Sequence, residues 1–250
     1  MIFCVRKALF TPDSPTLPKG LGEDLKSLGV PIEIGLPFNI DQFRTIEQWL
    51  PRLAKEIVEN EVTCVSIHAP EGRVITYTTE SFMKWTQSVR HLADKVGAKV
   101  IVFHPCLVNS IGRAKYLETL AVNIEASRRD TSATIAIETF IGGHYFGYEE
   151  ILAAGLPICL DTSHMKHSRA ARVVEKSHSQ ITHVHLSQVK GGRPHQPVGK
   201  NGERILDKLA AKEWSGSVCM EYMDPLMAEM VRDCKRLAGV FDGSVRPAGS

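Results

Sequence analysis

The sequence predicts an α/β chain folded as a single (β/α)8 TIM barrel, and three observations carry that prediction. Eight short apolar, β-branched runs alternate with eight longer segments of helical periodicity over 250 residues, about the ordinary size of such a barrel. Many of the runs finish on a polar residue: His68 in CVSIHAP, His104 in VIVFHP, Glu138 in IAIETF, Asp161 and His164 in ICLDTSH, His185 in THVHLSQ and Glu221 in VCMEYM. Glu, Asp and His at strand ends are what a barrel needs at its C-terminal rim, where the loops build the active site. An open doubly wound sheet is the runner-up. It fits less well, because no GxGxxG or GxxxxGK[ST] follows the first run and the polar ends are spread along the chain.

The predicted strands cover residues 2–5, 32–36, 63–67, 100–103, 134–137, 158–160, 181–186 and 218–220. Each is rich in Val, Ile, Leu or Cys, as expected of parallel strands covered on both faces. The helical segments are 21–28, 40–59, 79–96, 113–128, 148–154, 169–176, 202–213 and 226–240. In the second of these, Phe43, Ile46, Leu50, Leu53 and Ile57 recur at the spacing of one helix face. Strand and helix in strict alternation imply parallel pairing through right-handed crossovers, and eight repeats can close on themselves. The barrel is expected over residues 1–244, with 245–250 (VRPAGS) a disordered tail.

Composition narrows the function classes. The chain is 43% hydrophobic and has no low-complexity tract, so it can fill a core. No run approaches the roughly 20 apolar residues of a membrane span, and the first residues, MIFCVRKALF, lack the pattern of a secretory leader. A cytoplasmic location is the expectation. Against 28 acidic residues stand 30 Lys and Arg, which gives no broad basic surface of the kind a dedicated nucleic-acid binder needs. The six cysteines form no CxxC pair and are expected to be reduced and mostly buried. No uninterrupted exposed apolar segment marks an interface, although a homo-oligomer would be ordinary for such an enzyme.

The chemistry converges on four residues. Glu138, Asp161, His185 and Glu221 end the fifth to eighth strands, which closure brings together on one side of the rim. Three carboxylates and an imidazole form a hard, oxygen-rich donor set suited to Mn²⁺, Mg²⁺, Co²⁺ or Zn²⁺. Any one of them alone would serve equally well as a helix cap or surface group. Together they would repel one another unless a cation joined them.

These residues resemble a family. ICLDTSH, THVHLSQ followed by RPHQPVGKNG, and VCMEYM look like the xylose isomerase-like barrels, which include sugar-phosphate isomerases and epimerases, inosose dehydratases, hydroxypyruvate isomerases and endonuclease IV. The resemblance runs from His68 to Glu221. It implies that Glu138, Asp161, His185 and Glu221 hold one divalent metal ion, and that Glu138 and Glu221 also act as acid and base on a small carbohydrate-like substrate. The implied reaction is isomerisation or epimerisation through an enediolate, with inosose-type dehydration a close variant. The resemblance also implies substrate contacts for His164 and Arg193, and it places His144 where some epimerases carry an acidic residue. His68, His104 and His195 would line the polar sugar pocket or bind additional zinc.

The competing reading is an endonuclease IV-like zinc phosphodiesterase on abasic DNA. His68, His104, Glu138, Asp161, His164, His185, His195 and Glu221 match eight of that enzyme's nine ligand positions. The ninth is an aspartate, and Arg193 stands there; a cation at that place disfavours a cluster of three dications. Gln188 replaces the aspartate that usually follows VHL, Glu71 replaces an aromatic residue near DNA, and no basic or aromatic DNA-reading loop is evident. His183 shares a strand face with His185 one layer deeper and is expected to be a hydrogen-bonded core residue. His91, His167 and His178 read as surface residues.

Overall fold

The computed structural model describes residues 1–9, 16–37, 40–70, 78–104, 112–139 and 147–241. Its parallel strands are β1 (Ile2–Ala8), β2 (Ile32–Gly35), β3 (Cys64–His68), β4 (Val100–Phe103), β5 (Thr134–Glu138), β6 (Ile158–Asp161), β7 (Ile181–Leu186) and β10 (Ser217–Met220). They close in the order β1, β10, β7, β6, β5, β4, β3, β2, the eight-stranded barrel that the alternation predicts. The β1–β10 register, with Cys4 opposite Cys219, completes the ring.

Alternation along the strands separates two cores. Ile101 and Phe103 join the large apolar cluster packed under the outer helices, whereas Val100 and Val102 pack with Ala136 and Cys159. Cys4, Val65 and Cys219 form a second small cluster. Small side chains therefore fill the barrel interior and leave its upper layers to polar residues. Cys4, Cys64, Cys159, Cys219 and Cys234 are free thiols. Cys106 lies outside the described residues, as do Glu71, His144 and residues 242–250.

The helices are α1 (Leu21–Ser27), α2 (Ile40–Ile46), α3 (Leu50–Glu59), α4 (Thr79–Trp85), α5 (Gln87–Val96), α6 (Arg113–Ser127), α7 (Tyr148–Ala153), α8 (His167–Ser177), α9 (Lys200–Ala211) and α10 (Met227–Phe241). Two predicted helices are each broken in two. The 40–59 segment passes through a 3-10 turn at Glu47–Trp49, because Pro51 in the first turn of α3 has no N–H to donate and its ring crowds the preceding turn. The apolar stripe survives the break, since Phe43, Ile46, Leu50, Leu53 and Ile57 are all buried. The 79–96 segment is interrupted at Thr86, whose hydroxyl donates to the Phe82 carbonyl at 2.8 Å and accepts from Arg90 Nε. Gly97 then ends α5 at φ 73°, a left-handed conformation that glycine adopts without a Cβ penalty.

One element differs in kind from the sequence expectation. The segment after β7, which falls outside every predicted strand and helix, contains an antiparallel ribbon of β8 (Gln188–Lys190) and β9 (Arg193–Gln196). Gly191 and Gly192 turn it at φ 59° and 76°, the paired positive φ values of a tight hairpin. No helix among the described residues is long and apolar enough to cross a membrane.

Candidate metal centre

Closure brings the ends of β5, β6, β7 and β10 to one side of the mouth. One donor atom from each of Glu138, Asp161, His185 and Glu221 lies within 4.8 Å of the others, and none of the four residues is more than 4% exposed. His185 Nδ1 is the centre of the group. It stands 3.2 Å from Glu138 Oε1, 3.1 Å from Glu221 Oε2 and 4.0 Å from Asp161 Oδ2. Asp161 Oδ2 and Glu221 Oε2 are buried and make no hydrogen bond. Buried carboxylate oxygens that converge without donors are costly, so this donor set fits a hard divalent cation.

The far side of each carboxylate is anchored. Glu138 Oε2 faces His104 Nε2 at 2.7 Å and His68 Nε2 at 3.1 Å. Glu221 Oε1 is ion-paired with Arg6 of β1. Asp161 Oδ1 accepts the backbone N–H of Ser163 at 2.6 Å and of His164 at 3.2 Å, the turn that DTSH forms after its strand. Each carboxylate therefore keeps one oxygen turned toward the common centre.

Proximity and burial set the charges. Burial opposes ionisation of Glu138, but the facing His104 and His185 outweigh it and hold its pKa well below the usual range. Burial and the neighbouring Glu138 push Asp161 up to about 8. Burial also works against a charge on His185, yet Cys159, Glu33 and Glu138 raise its pKa well above the ordinary value. Cys159 is itself pushed up to about 12 by burial and stays a neutral thiol, so the carboxylates are the anions that matter. Burial and the Arg6 guanidinium lower His68 to about 3, which leaves it neutral.

Beneath this layer lies a second polar one. Glu33 of β2 is fully buried and accepts from Ser66 Oγ at 2.6 Å. His183 Nε2 lies 3.0 Å from the same oxygen, and His183 Nδ1 lies 2.6 Å from Ser217 Oγ. His183 is thus the hydrogen-bonded core histidine expected. Neither Glu33 nor Arg6 is recognisable from the sequence as belonging to the site.

The periphery is more open. His164 Nε2 is 3.5 Å from Asp161 Oδ2, His195 Nδ1 is 3.7 Å from Glu221 Oε2, and the two rings meet edge to face at 5.4 Å. His195 sits at φ 53°, a left-handed turn that bends the ribbon at the mouth. Burial and His164 lower its pKa to about 4. Arg193, on the same strand, is exposed, and it has no ion pair with a site carboxylate among the described residues. The structure therefore gathers His68, His104, His164 and His195 around the four central residues and leaves Arg193 on the outer part of the ribbon.

The family model for xylose isomerase-like TIM barrels matches residues 29–238. Comparison with curated protein sequences finds no match. Among solved structures, the barrel is similar to a D-tagatose 3-epimerase-like protein at 17% identity and a TM-score of 0.73, with 98% of this chain and 100% of the other covered. It is similar to the 3-keto-D-glucoside 4-epimerase from E. coli at 15% identity and a TM-score of 0.68, covering 96% and 99%. Endonuclease IV from Thermus thermophilus aligns at 15% identity and a TM-score of 0.58, covering 96% and 100%. At these identities the likeness is one of fold.

Proposed function

Because the chain belongs to the xylose isomerase-like TIM barrel family, we propose that it is a divalent-metal-dependent isomerase or epimerase of a small sugar or sugar phosphate. The single observation that carries this reading is the pair of glutamates, Glu138 and Glu221, meeting at His185 Nδ1 from two different strands. Glu138, Asp161, His185 and Glu221 would hold the metal. When bound, a divalent cation supplies Lewis acidity to a chelating carbonyl and adjacent hydroxyl, which acidifies the intervening C–H.

The chain's own groups handle the proton. Glu138 Oε1 and Glu221 Oε2 are the oxygens turned inward, while His104 with His68, and Arg6, hold the opposite oxygens in place. One glutamate takes the carbon-bound proton, and the other returns a proton to the neighbouring carbon or the opposite face. Return to the neighbouring carbon is isomerisation, and return to the opposite face is epimerisation. Loss of a hydroxide instead gives the dehydratase variant from the same abstraction. His164 and His195, at the rim, offer hydrogen bonds to substrate hydroxyls. Arg193 keeps its proposed substrate role only if the ribbon carries it inward when substrate binds.

The test is solvent exchange. Metal-loaded protein incubated in D₂O with ketopentoses, ketohexoses, their phosphates and inososes should place deuterium beside the carbonyl of one class, read by proton NMR. Glu138→Gln and Glu221→Gln should each slow exchange by roughly 10²–10⁴-fold. Normal exchange in either variant would remove that residue from catalysis.

A second reading has its own observation. His68, Glu138 and His185 also present donor atoms within 4.8 Å of one another, and this grouping favours additional zinc and endonuclease IV-like cleavage of abasic DNA. Incision of an abasic duplex without any sugar exchange would establish it.

A further inference from the structure

The geometry points to Glu33 as the positioning residue that fixes which nitrogen of His185 faces the three carboxylates. This inference rests on the proposed ligand set and extends it one layer down.

Glu33 is an acceptor that stands outside the four-residue cluster. Its two oxygens lie 3.2 and 3.3 Å from His185 Nε2, on the opposite side of the ring from Nδ1. An ionised carboxylate only accepts, so the nitrogen that faces it carries the hydrogen. His185 Nε2–H therefore donates downward to Glu33, which leaves Nδ1, the nitrogen 3.2 and 3.1 Å from Glu138 and Glu221, as the one whose lone pair would be available to a cation held by Glu138, Glu221 and Asp161. The same oxygen of Glu33 orders the rest of the layer. His183 Nε2–H donates to it at 3.0 Å and Ser66 O–H at 2.6 Å, which leaves His183 Nδ1 to accept from the Ser217 hydroxyl at 2.6 Å.

Glu33, Ser66, His183 and His185 are all 0% exposed, so water cannot take over any of these bonds. Each donor in the layer has an acceptor, and Glu33 is the common one. Without it, nothing holds a hydrogen at Nε2, and the one His185 keeps stays at Nδ1, where Glu138 and Glu221 accept it. That tautomer presents no lone pair to a cation. A histidine ligand whose second nitrogen is held by a carboxylate is the arrangement that fixes tautomer and ring orientation in metal sites, and losing the partner typically lowers metal affinity about 10–100-fold.

The test uses zinc as probe with the full chain. In zinc-loaded protein labelled with ¹⁵N-histidine, His185 should coordinate through Nδ1 and keep its N–H at Nε2. Glu33→Met, close in size and without an acceptor, should bind zinc roughly 10–100-fold more weakly. Glu33→Gln keeps one acceptor oxygen and should lose less, a partial rescue that a purely packing role would not produce. His185 coordination through Nε2, or wild-type zinc affinity in both variants, would overturn the inference and leave the proposed function standing. So would a second zinc lost selectively in Glu33→Met, because Glu33, His183 and Cys219 also place donor atoms within 4.8 Å of one another and Glu33 would then be a ligand itself. Failure of the wild-type protein to bind any divalent ion would reject the proposed function instead. If Glu33→Met does not fold, the wild-type histidine spectrum decides the matter alone.

Discussion

Asp161 and His185 both hold protons that a divalent ion would have to displace. Asp161 is pushed up to about 8 by burial and Glu138, so below that pH the metal-free site keeps a proton on it, while the metal-bound site needs the carboxylate. His185, raised against its burial by Cys159, Glu33 and Glu138, acts in the same direction. Zinc affinity should therefore rise with pH from about 6 to about 9, with net proton release on binding. Calorimetry in buffers of different ionisation enthalpy reads that release, and a pH-independent affinity would contradict the charge assignment. Asp161→Asn removes an ionic ligand and should weaken zinc by about 10-fold or more. The four central residues were legible because each is a polar interruption at the end of an apolar run. Glu33 was not, because in PIEIGL it stands inside an apolar run instead of ending one, and only barrel closure brings it against His183 and His185. Arg6, beside Lys7, reads as an ordinary surface basic pair until the β1–β10 pairing brings it to Glu221.

At the level of elements, periodicity located all eight barrel strands and the helices between them, and it failed where local chemistry interrupts a pattern. Pro51 and Thr86 break helices whose buried stripes nevertheless continue. The core these stripes build has a measurable worth. Leu53 is fully buried on the inner face of α3, and Leu53→Ala should cost about 2–5 kcal/mol in chemical denaturation; a loss well under about 1 kcal/mol would place that face outside the core. The β8–β9 ribbon escaped notice because Gln188–Lys190 and Arg193–Gln196 are short and polar, with Gly191 and Gly192 as the sole turn signal. The ribbon carries His195 to the mouth. Replacing both glycines with valine is incompatible with their positive φ values, and should lower turnover while zinc affinity stays within roughly 3-fold, since neither residue lies in the donor set.

For the whole molecule, closure matters most, because it turns strand ends separated by tens of residues into neighbours. A cation held by β5, β6, β7 and the residue after β10 would link four barrel strands, so metal should stabilise the fold as well as complete the site. At a free concentration about 100 times Kd the gain is about 2.7 kcal/mol, and Asp161→Asn, binding about 10-fold more weakly, should lose about half of it at the same metal concentration. The central claim, that these strand ends form one divalent-metal site, is tested most directly by metal content per chain in protein purified without added metal or chelator. Elemental mass spectrometry should find about one divalent ion in the wild type and markedly less in Glu221→Gln. No bound metal, or close to three zinc ions per chain, would contradict the account.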